Sequence, residues 1–387
     1  MDHALELDMT APPRRPPQAG PVLTVNAGSH SLKLAVLAAG PGPGGLDVLD
    51  EENIDARPDS REASDGLAAF IGRAPGVTAA GHRFVHGGPA LVRHRVIDDA
   101  VLGELRSAAS LAPQHVPPAL AALDTCRRHL PGIPHVACLD TVFHAGLPEA
   151  ARTYPLPLQW RERYGIRRYG FHGLSYAWTL DQAARLLDRD PAGLQVVLTH
   201  LGGGASVCAV RHGRSAWTSM GFTPLEGLVM SRRSGSIDPG LLLWLQTEHG
   251  LSAADISDVL EHHSGLLGLS GGLSGDTREL VAAAAGGQHA AALALEVFCL
   301  RARQEIAAAA ASLSQLDAVV FSGEIGADQP EVRESIAAGL TVLGLAPGLD
   351  PAQDRDHAIS GGGVPVLLVR PDEQRQIARE VRAVLAS

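Results

Sequence analysis

The sequence predicts an α/β protein of two domains, and three observations lead there. The chain is 387 residues long, more than one hydrophobic core usually supports. A strand, glycine turn, strand pattern occurs near residue 22 and again near residue 197, a domain-sized separation. Apolar β-rich runs alternate with helical patterns, the ordering that builds α/β layers.

The elements follow in order. Residues 1–20 hold early acidic residues and then Ala11-Pro-Pro-Arg-Arg-Pro-Pro17. They lack the basic start and apolar centre of a secretory signal, and their composition predicts a disordered leader. Order begins with Val22-Leu-Thr-Val25, followed by the turn Asn26-Ala-Gly-Ser-His-Ser31 and the run Leu32-Lys-Leu-Ala-Val-Leu37, a hairpin signature. Gly40-Pro-Gly-Pro-Gly-Gly45 reads as a loop at a strand end. The second hairpin is Val197-Leu-Thr-His-Leu-Gly-Gly-Gly-Ala-Ser-Val-Cys-Ala-Val210. Without a gap, Val22 overlays Val197, Gly28 overlays Gly203 and Ser31 overlays Ser206. Further on, Leu316-Asp-Ala-Val-Val-Phe321 reads as a strand, residues 322–328 as a glycine turn, and Pro330-Glu-Val-Arg333 as a helix start. Residues 290–311 read as an Ala-rich helix and 373–385 as an amphipathic one.

Composition narrows the function. A formal charge of -10 argues against a general nucleic-acid or membrane-surface role, which needs a basic face. Cys126, Cys138, Cys208 and Cys299 form no close pair, which fits reduced cytoplasmic thiols better than a disulfide framework or zinc site. No apolar run approaches the length of a membrane span.

The residues that could carry chemistry fall in three groups. The glycine turns could aim backbone N–H groups at phosphate oxygens; the alternative is an ordinary tight hairpin. Neither is a P-loop, since no GxxxxGK[ST] occurs. Arg83, in Gly81-His-Arg-Phe-Val-His-Gly-Gly88, and Arg233, in Arg232-Arg-Ser-Gly-Ser-Ile-Asp-Pro239, sit among glycines and apolar residues. Guanidinium groups so placed stabilise a transferring phosphoryl group; a structural Arg paired with a carboxylate is the alternative. His115, His144, His172 and His200 are isolated histidines, and Asp140 follows the apolar Val136-Ala-Cys-Leu139 at a strand end. That is where α/β proteins place functional groups, although a buried capping Asp would look the same.

Taken in order, these strings resemble the acetate kinase family. The resemblance runs from about residue 21 to the end of the chain, through Val25-Asn-Ala-Gly-Ser-His-Ser-Leu-Lys33 and residues 81–88, 112–118, 140–144, 168–173, 200–205, 218–239, 264–276, 321–333 and 372–379. It implies two duplicated actin-like (ribonuclease H-like) α/β domains with ATP in the cleft between them. The first would span 21–150, completed by the C-terminal helix at 375–387, and the second, nucleotide-binding domain would span 151–374. It implies reversible phosphoryl transfer between ATP and acetate, giving acetyl phosphate and ADP, with Mg2+ or Mn2+, in a cytoplasmic homodimer.

The resemblance also implies roles. Asn26 and Glu373 match the metal-associated positions. Arg83, Arg233, His172 and Asp140 match the catalytic set, with Arg83 also on the substrate carboxylate. Val85, Gln114, His115, Phe171 and Pro224 match the substrate pocket. Lys33, His200, Leu201, Gly202, Gly203, Gly204, Asp276, Thr277, Arg278, Glu324, Ile325, Gly326, Ala327 and Asp328 match nucleotide contacts. A carboxylate acceptor is already ionised near neutral pH, above a pKa of about 4–5. The reaction therefore needs charge neutralisation and in-line positioning rather than a strong base, and Asp140 is expected to order an arginine or a metal-bound water.

The sequence departs from the family pattern at His30, Gln114, Val116, Leu174, Tyr176, Gly203, Ser236, Glu324, Ala327, Asp328 and Gln374. These positions concentrate at the nucleotide contacts and the acyl pocket. They leave open propionate or another short carboxylate as acceptor, or a kinase-like binding protein. A sugar kinase or chaperone-type ATPase of the same superfamily is a further alternative, disfavoured by the two arginine segments.

Overall fold

The computed structural model describes residues 20–28, 31–41, 45–74 and 76–387. The expected leader, apart from Gly20, lies outside these residues, as does His30 of the first turn.

Among the described residues, twelve strands form two sheets of six. The first sheet holds β1 (Val22–Ala27), β2 (Leu32–Ala39), β3 (Leu46–Ile54), β4 (Ala79–Phe84), β5 (Arg95–Val96) and β6 (His135–Leu139), in the order β3-β2-β1-β4-β6-β5. The second holds β7 (Gln195–Leu201), β8 (Ala205–Arg211), β9 (Arg214–Thr218), β10 (Ala318–Ser322), β11 (His357–Ala358) and β12 (Val366–Leu368), in the order β11-β12-β10-β7-β8-β9. Each begins as an antiparallel three-strand meander. The chain then returns by a helical crossover to lay a strand parallel to the first: β4 beside β1, and β10 beside β7. The two halves are therefore copies of one plan.

Their central strands are apolar on both faces because helices cover both. All six residues of β1 are buried, the pattern of a strand sandwiched between layers. One face of the first sheet packs Leu67 and Phe70 from helix Arg61–Gly72 and Leu123 from helix Val116–His129. The other face receives the C-terminal helix Glu373–Ala386 through Ile377, Ala378 and Val381, which meet Val22, Ala79, Val136 and Cys138. Gly81 permits that approach: a Cβ there would lie 2.5 Å from Val381 and 2.6 Å from Ile377. The second sheet is covered by helix His289–Ala310 on one face and by Gly173–Leu186 on the other.

Two local expectations change. Residues 322–328 are not a turn. β10 runs through Ser322 and a helix, Gly323–Asp328, starts at once. Gly323 makes this possible at φ 82°, where a Cβ would sit 2.4 Å from the Leu201 carbonyl oxygen. The ungapped overlay of the hairpins also shifts. In the first, Ala27 pairs with Leu32 and Asn26 with Lys33; in the second, Leu201 pairs with Ala205 and His200 with Ser206. The first turn is one residue longer, so Asn26 corresponds to His200, and Ser206 to Lys33 rather than Ser31.

Candidate active site

The strand ends of both sheets converge on one cavity of about 750 Å³. Asn26 is the next-to-last residue of β1, Lys33 the second of β2 and paired with it, Arg83 lies near the end of β4, and Asp140 directly follows β6. The sheet topology alone brings these four together. Glu373 joins them from the first turn of the C-terminal helix, 347 residues away from Asn26 in the chain.

Asp140 is fully buried and holds the Arg83 guanidinium from two sides: Nη2 donates to Oδ2 at 2.7 Å and Nε to the same oxygen at 3.1 Å. Arg83 Nη1 donates to Asn26 Oδ1 at 3.0 Å and lies 3.5 Å from Glu373 Oε2, which accepts from Asn26 Nδ2 at 2.6 Å. Burial alone would weaken the charge on Arg83. The Asp140 and Glu373 carboxylates outweigh it and push its pKa above the ordinary value. Burial raises Asp140, opposed by Arg83. For Glu373 burial also acts upward, but Arg83, helped by the Asn26 amide that donates to it, prevails and holds it below the usual carboxylate range. Such a pair is costly to break, because either partner left alone is a buried charge.

The histidines of the opposite wall are neutral. His172 sits at φ 59° just before helix Gly173–Leu186. Gly173 N donates to the Asp140 carbonyl at 3.0 Å, locking the His172 and Asp140 segments together. Burial first, then His200, Arg83 and Arg233, hold the His172 pKa well below its ordinary value, so the imidazole is neutral near pH 7. Its Nδ1 lies 2.8 Å from Ser206 Oγ, which also bonds the Tyr176 hydroxyl. With Tyr176 donating to Ser206 and Ser206 to Nδ1, Nε2 carries the proton. Tyr176, one of the departures, thereby belongs to a buried hydrogen-bond chain behind the site. His200 stacks on His172 with ring centroids 4.2 Å apart and its Nδ1 2.8 Å from Ser175 Oγ. Burial lowers its pKa also.

Between these walls runs the bare turn Gly202, Gly203, Gly204. A Cβ on Gly204 would lie 2.7 Å from Arg233 Nη2 and 3.3 Å from His172 Nε2. The guanidinium and imidazole therefore close over peptide backbone, a space only glycine leaves open. Arg233 Nη1 donates to the Pro224 carbonyl at 2.6 Å. Burial lowers the Arg233 pKa, partly countered by Glu261.

Of the expected site residues, Asn26, Lys33, Arg83, Val85, His115 and Asp140 line the cavity, as do Phe171, His172, His200, the three glycines, Pro224, Arg233, Glu324 and Glu373. Gln114 is half-buried and does not line it, although its neighbour His115 does. Leu201 is in the core. Asp276, Thr277, Arg278, Ile325, Gly326, Ala327 and Asp328 also lie outside the lining. Asp276 caps helix Thr277–Ala285, and the Arg278 side chain turns back onto it. The Asp276 carboxylate, with smaller contributions from Glu324 and Asp328, raises the Arg278 pKa. Val48, Glu51 and Arg375 line the cavity without any sequence signal. They reach it through β3 and the C-terminal helix, whose positions depend on long-range packing.

Glu324 reaches across the mouth to pair with Lys33 at 3.3 Å. Among the described residues, no group of three or more His, Cys, Asp or Glu side chains could hold a metal unaided. Asn26 and Glu373 offer hard oxygen donors, the set that binds Mg2+ when phosphates supply further ligands. No helix among the described residues is long and apolar enough to cross a membrane.

The acetokinase family model matches residues 66–379. The chain is 40% identical to the acetate kinase of Deinococcus radiodurans over 391 residues, covering 94% of this chain and 98% of that one. It is 43% identical to the acetate kinase of Deinococcus deserti over 319 residues, covering 80% and 79%. The crystal structure of Porphyromonas gingivalis acetate kinase superimposes with a TM-score of 0.83 at 31% identity, covering 95% and 100% of the two chains. That of a propionate kinase from Francisella tularensis gives 0.84 at 30% identity, covering 94% and 100%. The duplicated sheets, the converging arginines and these likenesses together show that the chain belongs to the acetokinase family, phosphotransferases whose acceptor is a carboxyl group.

Proposed function

We propose that this chain catalyses reversible, Mg2+-dependent phosphoryl transfer from ATP to acetate, giving acetyl phosphate and ADP. The observation that carries this reading is the closure of Arg233 and His172 over the Gly202–Gly204 backbone, facing the Arg83–Asp140 pair across one cavity. Arg83 holds the acetate carboxylate while Asp140 fixes the guanidinium plane; Asp140 transfers no proton. Val85, Phe171 and Pro224 enclose the methyl group. The glycine turn and Lys33 take the nucleotide phosphates, with the segments at 276–278 and 324–328 on the nucleoside side. Arg233 and the Nε2–H of neutral His172 face the charge that spreads over the transferring phosphoryl oxygens. Fixed donors in a partly dry site contribute most in that position. Asn26 and Glu373 would hold the metal, which neutralises phosphate charge when bound.

The domains follow the same reading: 21–150 with the C-terminal helix forms one, and 151–374 the other. Cytoplasmic location accords with the four buried, unpaired cysteines. The chain acts as a homodimer. Helix Pro239–His249 has no buried residue yet exposes Leu241, Leu243 and Trp244, the kind of face a partner covers. Leu243→Glu combined with Trp244→Glu yields a monomer by light scattering; an unchanged mass sinks this assignment.

The deciding experiment traps acyl phosphate as hydroxamate with ATP, Mg2+ and a series of short carboxylic acids. Acetate gives the largest yield. Folded protein that forms no hydroxamate from any acid is a binding protein instead, and a larger yield from propionate moves the acceptor one carbon up.

A further inference from the structure

Pro224 meets both reactants. Its ring lines the cavity beside Val85 and Phe171, and its carbonyl accepts from Arg233 Nη1 at 2.6 Å. The aim of that guanidinium therefore depends on where residues 219–228 hold Pro224. This loop has little regular structure of its own; it is held by backbone bonds, among them Tyr169 N donating to the Gly221 carbonyl at 3.0 Å, and by a side-chain cluster outside the cavity.

Glu226 is the centre of that cluster. One of its carboxylate oxygens accepts from Arg168 Nη2 at 2.5 Å and the other from the Tyr154 hydroxyl. Tyr154 in turn accepts from Phe222 N at 2.9 Å, and Arg168 Nη1 donates to the Ser219 carbonyl at 2.9 Å. Arg168 also lies over the Tyr154 ring, 5.4 Å from its centroid. The whole clamp closes over Gly221, where a Cβ would fall 1.7 Å from the Glu226 carboxylate and 2.1 Å from the Tyr154 oxygen. Tyr154 and Arg168 stand 72 and 58 residues from Glu226 in the chain, so both flanks of Pro224 are tied to a segment distant in sequence.

We propose that Tyr154, Arg168 and Glu226 are positioning residues that couple acyl-group fit to phosphoryl transfer. An acid that fits leaves Pro224 in place and Arg233 on target. An acid too long presses on Pro224, and because the clamp keeps the loop from yielding elsewhere, the displacement passes to Arg233. Discrimination against longer acids then appears in kcat as well as in KM. Loosening the clamp should lower turnover with acetate and narrow the gap to propionate. This inference rests on the proposed placement of the acyl group against Pro224.

The test measures kcat and KM for acetate and propionate in the full chain and in Tyr154→Phe and Glu226→Gln, with melting temperatures as a folding check. We expect a roughly 5- to 30-fold fall in kcat for acetate, an unchanged KM for ATP, and a propionate-to-acetate kcat ratio at least about threefold higher than in the parent. Glu226→Asp, which keeps the charge, should recover part of the loss. A merely structural clamp would scale both acids by one factor and leave the ratio where it was; that result, or unchanged kinetics, overturns the proposal. If Glu226→Gln does not fold, Tyr154→Phe decides, since it removes one oxygen. A parent chain that forms no acyl phosphate would fail the functional reading itself, a separate outcome from an unchanged ratio.

Discussion

The two hairpins share a backbone plan and carry opposite chemistry. At the pair before the first turn stand Asn26 and Lys33, and around them Arg83, Asp140 and Glu373 form a charged network. At the same pair in the second hairpin stand His200 and Ser206, tied to His172, Ser175 and Tyr176 by neutral hydrogen bonds. Duplication supplied two equal scaffolds. Burial then set what each could hold: a charge survives only beside its partner, whereas a neutral imidazole needs only a hydrogen bond. On the proposed reading the first half takes the metal and the carboxylate, and the second, with its bare glycine turn beside Arg233, takes phosphate.

The sharpest way to break this contrast is to uncharge the charged half. Asp140→Asn leaves Arg83 buried without its counter-ion. We expect kcat to fall about 100-fold or more and stability to drop by about 3 kcal/mol, from breaking one side of a buried pair. Steady-state kinetics and denaturant melts measure both. Near-normal turnover would remove Asp140 from catalysis altogether.

The converse test charges the buried histidines of both halves with acid. Burial holds the His86 and His144 pKa values down to about 4, and those of His172 and His200 are lowered too. The unfolded chain takes up these protons near pH 6.5, whereas the folded chain does not. Stability is therefore complete above about 6.5 and declines as pH falls toward 4, on the order of 2 kcal/mol per fully buried histidine at pH 5. Melting temperature against pH should show this decline, and His144→Gln should melt lower at pH 7 yet lose less on acidification. Turnover between pH 6 and 8 should show no step from His172; a step near 6.5 that vanishes in His172→Asn would mean it works as a cation.

The smallest effect joins the two halves. Glu324 pairs with Lys33 across the mouth, and both side chains are exposed, at 71% and 49%. Such a pair contributes less than about 1 kcal/mol. Glu324→Gln should therefore lower the KM for ATP by roughly two- to fivefold, because the carboxylate competes with phosphate for the same ammonium group. An unchanged KM would show that Lys33 meets phosphate without leaving Glu324.

What the sequence made legible was local. The hairpins at 22–37 and 197–210, the Ala-rich helix and the C-terminal helix each announce themselves by period and turn chemistry. The helix at Gly323–Asp328 did not, because a glycine at positive φ can end a turn or start a helix and only the neighbouring Leu201 backbone distinguishes them. The hairpin register was misread by one residue because a loop length leaves no mark in an ungapped match. Isolated charges among glycines pointed to Arg83 and Arg233. Nothing local marks Val48, Glu51 or Tyr154, whose positions are set by strands and loops packing from far along the chain.

The C-terminal helix has a consequence for how the protein is made. A nascent chain that has reached residue 370 already carries the residues of both sheets, both arginines and Asp140. It lacks Glu373, and the first sheet still shows bare the apolar face that Ile377 and Val381 will cover. Glu373 and the residues that seal that sticky face thus belong to one helix and enter the chain together. Until then that face stays adhesive, and the helix that covers it is the one that brings Glu373 to the cavity.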